Sequence, residues 1–194
     1  MSFSFLFFWS LFFLVASGIL LSIVYWSVKN GISPMPTSRK TKAQLLSMLP
    51  LISKGIIYEL GCGWGTLAFP LAQKYPNFQV IALETSPIPY SFCQLRLWLY
   101  PLPNLLFQKK DYLNASLYDS ALIVCYLYPQ AMNTLKAKFE KELKLNTWVL
   151  SNTFAIPSWK PFIVNEIDDL YHTKIYLYKF VKISNAEDTG EARR

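Results

Sequence analysis

The sequence predicts an α/β domain wound around a mostly parallel sheet, closed by an antiparallel hairpin and preceded by one apolar helix. Three observations carry that expectation. Apolar, β-rich runs alternate with runs of helical periodicity through the middle of the chain. A glycine-dense turn, GCGWGT, follows the first strand-like run. From Phe3 to Val28 there is no Asp, Glu, Lys, Arg or His.

The elements follow in order. The run FSFLFFWSLFFLVASGILLSIVYWSV exceeds the roughly 20 apolar residues a helix needs to cross ~30 Å of hydrocarbon, so residues 1–28 read as a transmembrane anchor. A cleaved leader is the alternative, but it would carry a basic start, a shorter apolar stretch and a small-residue cleavage site. Lys29, Arg39, Lys40 and Lys42 follow the span closely, which puts the rest of a single-pass chain on the cytoplasmic side of its membrane, or on the matrix side in a mitochondrion. Residues 29–49 read as linker and leading helix. KNGISPMPTS has linker composition, and TKAQLLSMLPLI has helical spacing, with Ser38 or Thr41 as its N-cap.

Residues 50–183 form the predicted domain. IIYEL, FQVIAL, NLLFQKK, ALIVCYL and TWVLS are its strands, and TLAFPLAQKY, PIPYSFCQLRLWLY and QAMNTLKAKFEKELKL its helices. Pro70 either kinks the first of these helices or marks a later start. In PFIVNEIDDLYHTKIYLYKFVKI two strand-like runs are joined by a few residues around Tyr171 to Thr173. That is too short for a helical crossover, so they pair as an antiparallel hairpin at the sheet edge. The polar residues 184–194, SNAEDTGEARR, are expected to be disordered.

Composition narrows the function classes. The net charge of +7 lies wholly outside the apolar run and suits a domain held against anionic headgroups. No basic run interleaved with stacking aromatics marks a nucleic-acid surface. Cys62, Cys93 and Cys125 form no CxxC pair and His172 is the only histidine. A disulfide framework, a zinc site and a Ser-His-Asp triad are therefore not expected, and no metal is.

The glycine turn is the first chemical signal. Its spacing, G-x-G-x-G at Gly61, Gly63 and Gly65, departs from the G-x-G-x-x-G of dinucleotide sites. Glu59, at the end of the strand, would repel a diphosphate but can hold a cationic amino group. Up to residue 118 the chain has only three acids, Glu59, Glu84 and Asp111, each ending or following a predicted strand. In a doubly wound sheet those ends meet on one rim. Their natural partners are, in order, an ammonium, the two hydroxyls of a ribose and the exocyclic amine of an adenine. S-adenosylmethionine carries all three.

On these residues the chain resembles the class I S-adenosylmethionine-dependent methyltransferases, through E-x-G-x-G-x-G at 59–65, Glu84 and Asp111. The likeness covers residues 50–182 and implies a Rossmann-like seven-stranded sheet. A narrower resemblance is to membrane-anchored protein-lysine methyltransferases, the family that includes the ATP synthase c-subunit methyltransferase and archaeal relatives. It is carried by the apolar span, PMPTSRKTKAQLLSML, YLYPQAMNTLKAKFEKEL and VLSNTFAIPSWKP. It implies a protein lysine as acceptor, in a substrate that is itself membrane-embedded.

An amine acceptor must arrive unprotonated, which an apolar pocket beside a sulfonium favours by desolvation and like-charge repulsion. That pocket is expected at the end of the fourth strand, at Tyr126, Leu127, Tyr128 and Pro129. Either tyrosine could hydrogen-bond the amine or face the departing charge as a π surface; the plainer alternative is strand-end packing. Trp64 could cover the cofactor on the substrate side or merely plug the turn. The resemblance alone implies Thr37 as a cofactor wall and Trp159 as a substrate wall. Trp64 departs from relatives with an acidic or small residue there, which bears on the substrate more than on the cofactor. Other acceptors, such as a lipid headgroup amine or a small molecule, and a non-catalytic scaffold, remain the competing readings. The sequence is silent on oligomeric state.

Overall fold

The computed structural model describes residues 3–181, with side chains from residue 5 onward. Helix α1, Phe3–Asn30, is continuous through the apolar run, and at 1.5 Å per residue its 28 residues reach about 42 Å. Along residues 5–21 every side chain is exposed, whereas Ser22, Ile23, Trp26, Ser27 and Asn30 are half-buried. That spacing is one helical face, and it lies against α4, Pro87–Leu99. By length and composition the segment Phe5–Asn30 is able to cross a membrane.

The leading helix α2, Arg39–Ser47, is capped by Ser38, whose hydroxyl accepts the Thr41 N–H at 3.1 Å. Of the two expected caps, Ser38 is therefore the one used. Leu45 of α2 is 1% exposed and enters the core of the domain. The helix thus belongs to the packed body.

Strands β1, Ile56–Leu60, β2, Val80–Glu84, β3, Leu105–Lys109, β4, Ser120–Cys125, and β5, Trp148–Asn152, are parallel. Strands β6, Ile163–Glu166, and β7, Lys174–Lys179, form the antiparallel hairpin. The seven strands lie in the order β3-β2-β1-β4-β5-β7-β6, so β7 pairs with β5 and β6 is the edge. Alternate residues feed two cores. Ile57, Ala82 and Val124 face α2, α3 (Ala68–Lys74) and α4, while Tyr58, Leu83 and Ile123 face α5 (Pro129–Glu142). Such two-sided burial is why the strands read as continuous apolar runs.

Two local outcomes, the start of α3 and the length of the hairpin connection, differ from the pattern read in the sequence. Helix α3 begins at Ala68 rather than Thr66, which places Pro70 in its first turn, where its missing N–H costs no helical hydrogen bond. Between β3 and β4, where no helix is expected, a 3-10 turn, Tyr112–Asn114, makes the connection. The hairpin connection runs over 167–173, longer than the few residues around Tyr171. It is organised by Asp169, whose carboxylate accepts the N–H groups of Tyr171 and Thr173 and the Thr173 hydroxyl. The expected tail at 184–194 lies outside the described residues.

Strand order reverses at β1, whose neighbours β2 and β4 lead to opposite halves of the sheet. A crevice opens at the carboxyl ends of the strands at such a switch point.

Candidate active site

The turn after β1 explains its glycines. Gly61, Gly63 and Gly65 have φ of 70°, 51° and 68°, the left-handed region where a Cβ is strained. Space separates their roles. A Cβ on Gly61 would meet Leu127 Cδ2 at 2.9 Å, and one on Gly65 would meet Cys93 Sγ at 3.0 Å and Phe107 Cζ at 3.3 Å. Around Gly63 the nearest atom would be 3.7 Å away, on Pro34. The outer glycines let the turn sit tightly on the domain, and the middle one leaves its surface open toward the cleft.

Glu84 holds that turn in place. Its Oε2 accepts the Gly63 N–H at 2.8 Å, and Oε1 accepts the N–H groups of Thr85 at 2.9 Å and Ser86 at 2.7 Å. One carboxylate thereby ties the glycine turn to the end of β2 and the start of α4. Glu59 is its opposite. It is 5% exposed, and its Oε2 finds no hydrogen-bond partner among the described residues. Burial, with Cys93 and Glu84 adding to it, pushes the Glu59 acid well above the usual carboxylate range. Asp111, half-buried after β3, caps the 3-10 turn through Oδ1 to the Leu113 N–H at 2.8 Å.

All three acids line one cleft of about 240 Å³. Gly61, Gly63, Thr37, Tyr126 and Tyr128 line it as well. Gly65 does not, lying beneath the turn against Cys93. Pro129 is exposed as the first residue of α5, where its fixed φ suits a helix start. Neither tryptophan reaches the cleft. Trp64 meets Phe92 edge-on at 5.4 Å. Trp159 packs among Phe139, Tyr178 and Phe180 and donates its Nε1–H to Glu140 at 3.2 Å. A ring engaged on three sides has no free face for a substrate.

The structure also adds residues that the sequence reading passed over. The segment from Lys29 to Met35, read as linker, forms a wall of the cleft beside the expected Thr37. Asn30 fastens it, donating from Nδ2 to Thr85 Oγ1 at 2.9 Å and Ser86 Oγ at 3.1 Å. Gly31, at φ 68°, has the Tyr128 ring where a Cβ would stand, at 2.9 Å. An Asn-Gly pair closing a helix was the available signal. Tyr112 is the second addition. Burial, then Tyr128, Asp111 and Cys125, pushes its phenol up to about 12, so it stays a protonated donor on the cleft wall.

The architecture places the chain among known folds. It superposes with a TM-score of 0.69 on an RNA methyltransferase from Salinibacter ruber in complex with S-adenosyl-L-homocysteine, at 20% identity, covering 81% of this chain and 100% of that one. This likeness defines the fold, that of the S-adenosylmethionine-dependent methyltransferases. Among proteins related in sequence, a protein-lysine N-methyltransferase of Saccharolobus islandicus is 25% identical over 147 residues, 74% of this chain and 91% of that one. A lysine N-methyltransferase of Xenopus laevis, named for the ATP synthase c-subunit, is 25% identical over 130 residues, 66% of this chain and 57% of the relative. The chain belongs to the ANTKMT methyltransferase domain family, whose profile matches residues 59–163. It is an S-adenosylmethionine-dependent methyltransferase. The site fits that cofactor: Glu59, whose buried Oε2 has no partner among the described residues, lines a cleft together with Gly61, Gly63 and two further acids.

Proposed function

We propose that this chain is a membrane-anchored methyltransferase of protein lysine side chains, and that its three rim acids hold the cofactor. The observation that carries the reading is Glu59. A buried, partnerless carboxyl beside a glycine turn is costly unless a cation reaches it, and the amino-acid tail of the cofactor ends in an ammonium. Glu84, which lines the cleft, takes the ribose hydroxyls, and Asp111, with one oxygen committed to Leu113, takes the adenine amine. Thr37 and the strap behind it close the cleft from the side of α1.

Bound there, S-adenosylmethionine would supply a sulfonium methyl: a neutral amine attacks its carbon in line, a C–N bond forms as the C–S bond breaks with its electron pair left on sulfur, and the methylammonium product sheds its proton to solvent. The chain's own work is then to align and to desolvate. Tyr126 and Tyr128, half-buried at the end of β4, border the place where an amine would enter. Their phenols can accept one N–H and fix the direction of the lone pair. Lys29 and Lys110 line the same cleft as the two tyrosines. These two cations discourage a protonated acceptor and favour the neutral amine.

The lysine assignment draws on the relatives named for that acceptor. The membrane assignment draws on the exposed apolar face of α1 and on the lysines and arginine that follow it, which orient the domain toward the cytoplasm or matrix. Incubating the full chain in membranes with methyl-labelled cofactor, then separating protein from lipid, tests both. Label is expected on lysine of a membrane protein. Label confined to the lipid fraction would overturn the acceptor.

A further inference from the structure

Helix α4 carries an apolar stripe that the fold leaves uncovered. Phe92, Leu95, Trp98 and Leu99 are 46%, 54%, 77% and 56% exposed, and Tyr100, just past the helix end, is 68% exposed. The spacing i, i+3, i+6 and i+7 puts the four helical residues on one side of α4. Scattered exposed hydrophobes are ordinary, whereas a contiguous run this large on one element marks an interaction surface.

Two features say what covers it. First, α4 is the helix against which the last two turns of α1 pack. The fully exposed apolar part of α1 ends at Leu21, so the chain leaves the domain toward its proposed span alongside α4. Seventeen exposed residues, Phe5 to Leu21, cover about 25 Å of helix, most of a hydrocarbon core. The bilayer surface would then lie near Ser22, next to α4. Second, the stripe has the chemistry of an interface. Trp98 and Tyr100 are amphipathic rings of the kind that settle at headgroup depth. Arg96 and Lys42 border a shallow depression that also includes Leu99 and Tyr100. The Arg96 guanidinium lies 3.9 Å above the Phe69 ring, which fixes it in place beside the stripe.

We infer that α4 is a second membrane contact, with Leu95, Trp98 and Leu99 immersed at the level of anionic lipid headgroups and Arg96 and Lys42 paired with them. This rests on the proposed spanning of α1 and adds to it. The domain would not swing on a tether; it would lie on the bilayer in one orientation, with α1 and α4 as two fixed points of contact. Each cation near the surface strengthens the attraction to anionic lipid.

The test uses the full chain reconstituted into vesicles of phosphatidylcholine and phosphatidylglycerol. A polarity-sensitive fluorophore is placed on Cys introduced by W98C, with L145C as the control in the turn before β5 and L14C in α1. The native cysteines are buried. The Trp98-site label is expected to shift to the blue, to be quenched by nitroxide on lipid headgroups and to be shielded from iodide, while the label at 145 behaves as in water. If the label at 98 is as open to iodide as that at 145 while the label at 14 is quenched by deep nitroxides, the α4 contact is wrong and the span stands. If neither 98 nor 14 senses lipid, both readings fall. A label at 98 shielded from iodide but unaffected by lipid nitroxide would mean that a protein covers the stripe, and this also overturns the inference.

Discussion

At the scale of single residues, Glu59 and Glu84 are two carboxylates in adjacent strands put to contrasting uses. Glu84 is satisfied by three backbone N–H groups before any ligand arrives, so its replacement acts on both the turn and the cofactor. Glu84→Ala is expected to weaken S-adenosylhomocysteine binding by about 2 kcal/mol, roughly 30-fold, with a lowered Tm. Calorimetry that returned wild-type affinity would remove the ribose from Glu84. Glu59 has the opposite character. Its folded-state pKa lies well above 4.5, so the folded chain keeps a proton that the unfolded chain releases. Its contribution to stability is fully present below the unfolded value and is lost as pH rises through the folded one. A cationic ligand reverses the preference and expels that proton. Binding enthalpy should therefore vary with the ionisation enthalpy of the buffer at pH values between the lower pKa of Glu59 in the complex and its raised value in the free folded chain. In Glu59→Gln the dependence should vanish while stability at neutral pH is kept; a variant that behaves like wild type would show that no cation meets this carboxyl.

At the scale of elements, the glycine turn separates packing from binding. Gly65→Ala must strain a left-handed residue and push against Cys93 Sγ at 3.0 Å and Phe107 at 3.3 Å. Gly63→Ala meets only the conformational cost, about 1–2 kcal/mol, because its Cβ would stand at ordinary contact distance, 3.7 Å, from Pro34. Thermal unfolding should therefore place Gly65→Ala well below Gly63→Ala, while cofactor titration should show Gly63→Ala impaired despite its milder stability loss. Equal stabilities would refute the close approach beneath the turn. The strands and most helices were legible because two-sided burial writes continuous apolar runs and amphipathic helices write their period. The rim acids were legible because acids are rare in the first 118 residues. Trp64 and Trp159 were not: composition cannot tell a ring that lines a cleft from one packed on Phe92, and resemblance alone did not place Trp159 among Phe139, Tyr178 and Phe180.

At the scale of the whole molecule, the largest gap between sequence and structure is the stretch 29–37. Its prolines, glycine and small polar residues read as a flexible connector, yet Asn30 and Gly31 lock it onto Thr85, Ser86 and Tyr128. Such contacts join residues 55 or more positions apart and leave no periodic trace. The consequence is that the end of α1 forms part of the cleft wall. Removing residues 1–21 retains the turns of α1 that pack on α4. Cofactor affinity should then persist, while initial rates on a membrane-embedded acceptor should fall by on the order of 100-fold through lost effective concentration. Undiminished rates in membranes would show that the anchor has no part in delivering the enzyme.

The central claim is that Glu59, Glu84 and Asp111 grip one adenosine bearing an amino-acid tail. A crystal structure of the full chain with S-adenosylhomocysteine tests it most directly. The account predicts the ammonium within hydrogen-bond distance of Glu59 Oε2, the ribose hydroxyls at Glu84 and the adenine amine at Asp111. A product bound elsewhere, or bound in this cleft with its ammonium turned away from Glu59, would contradict it.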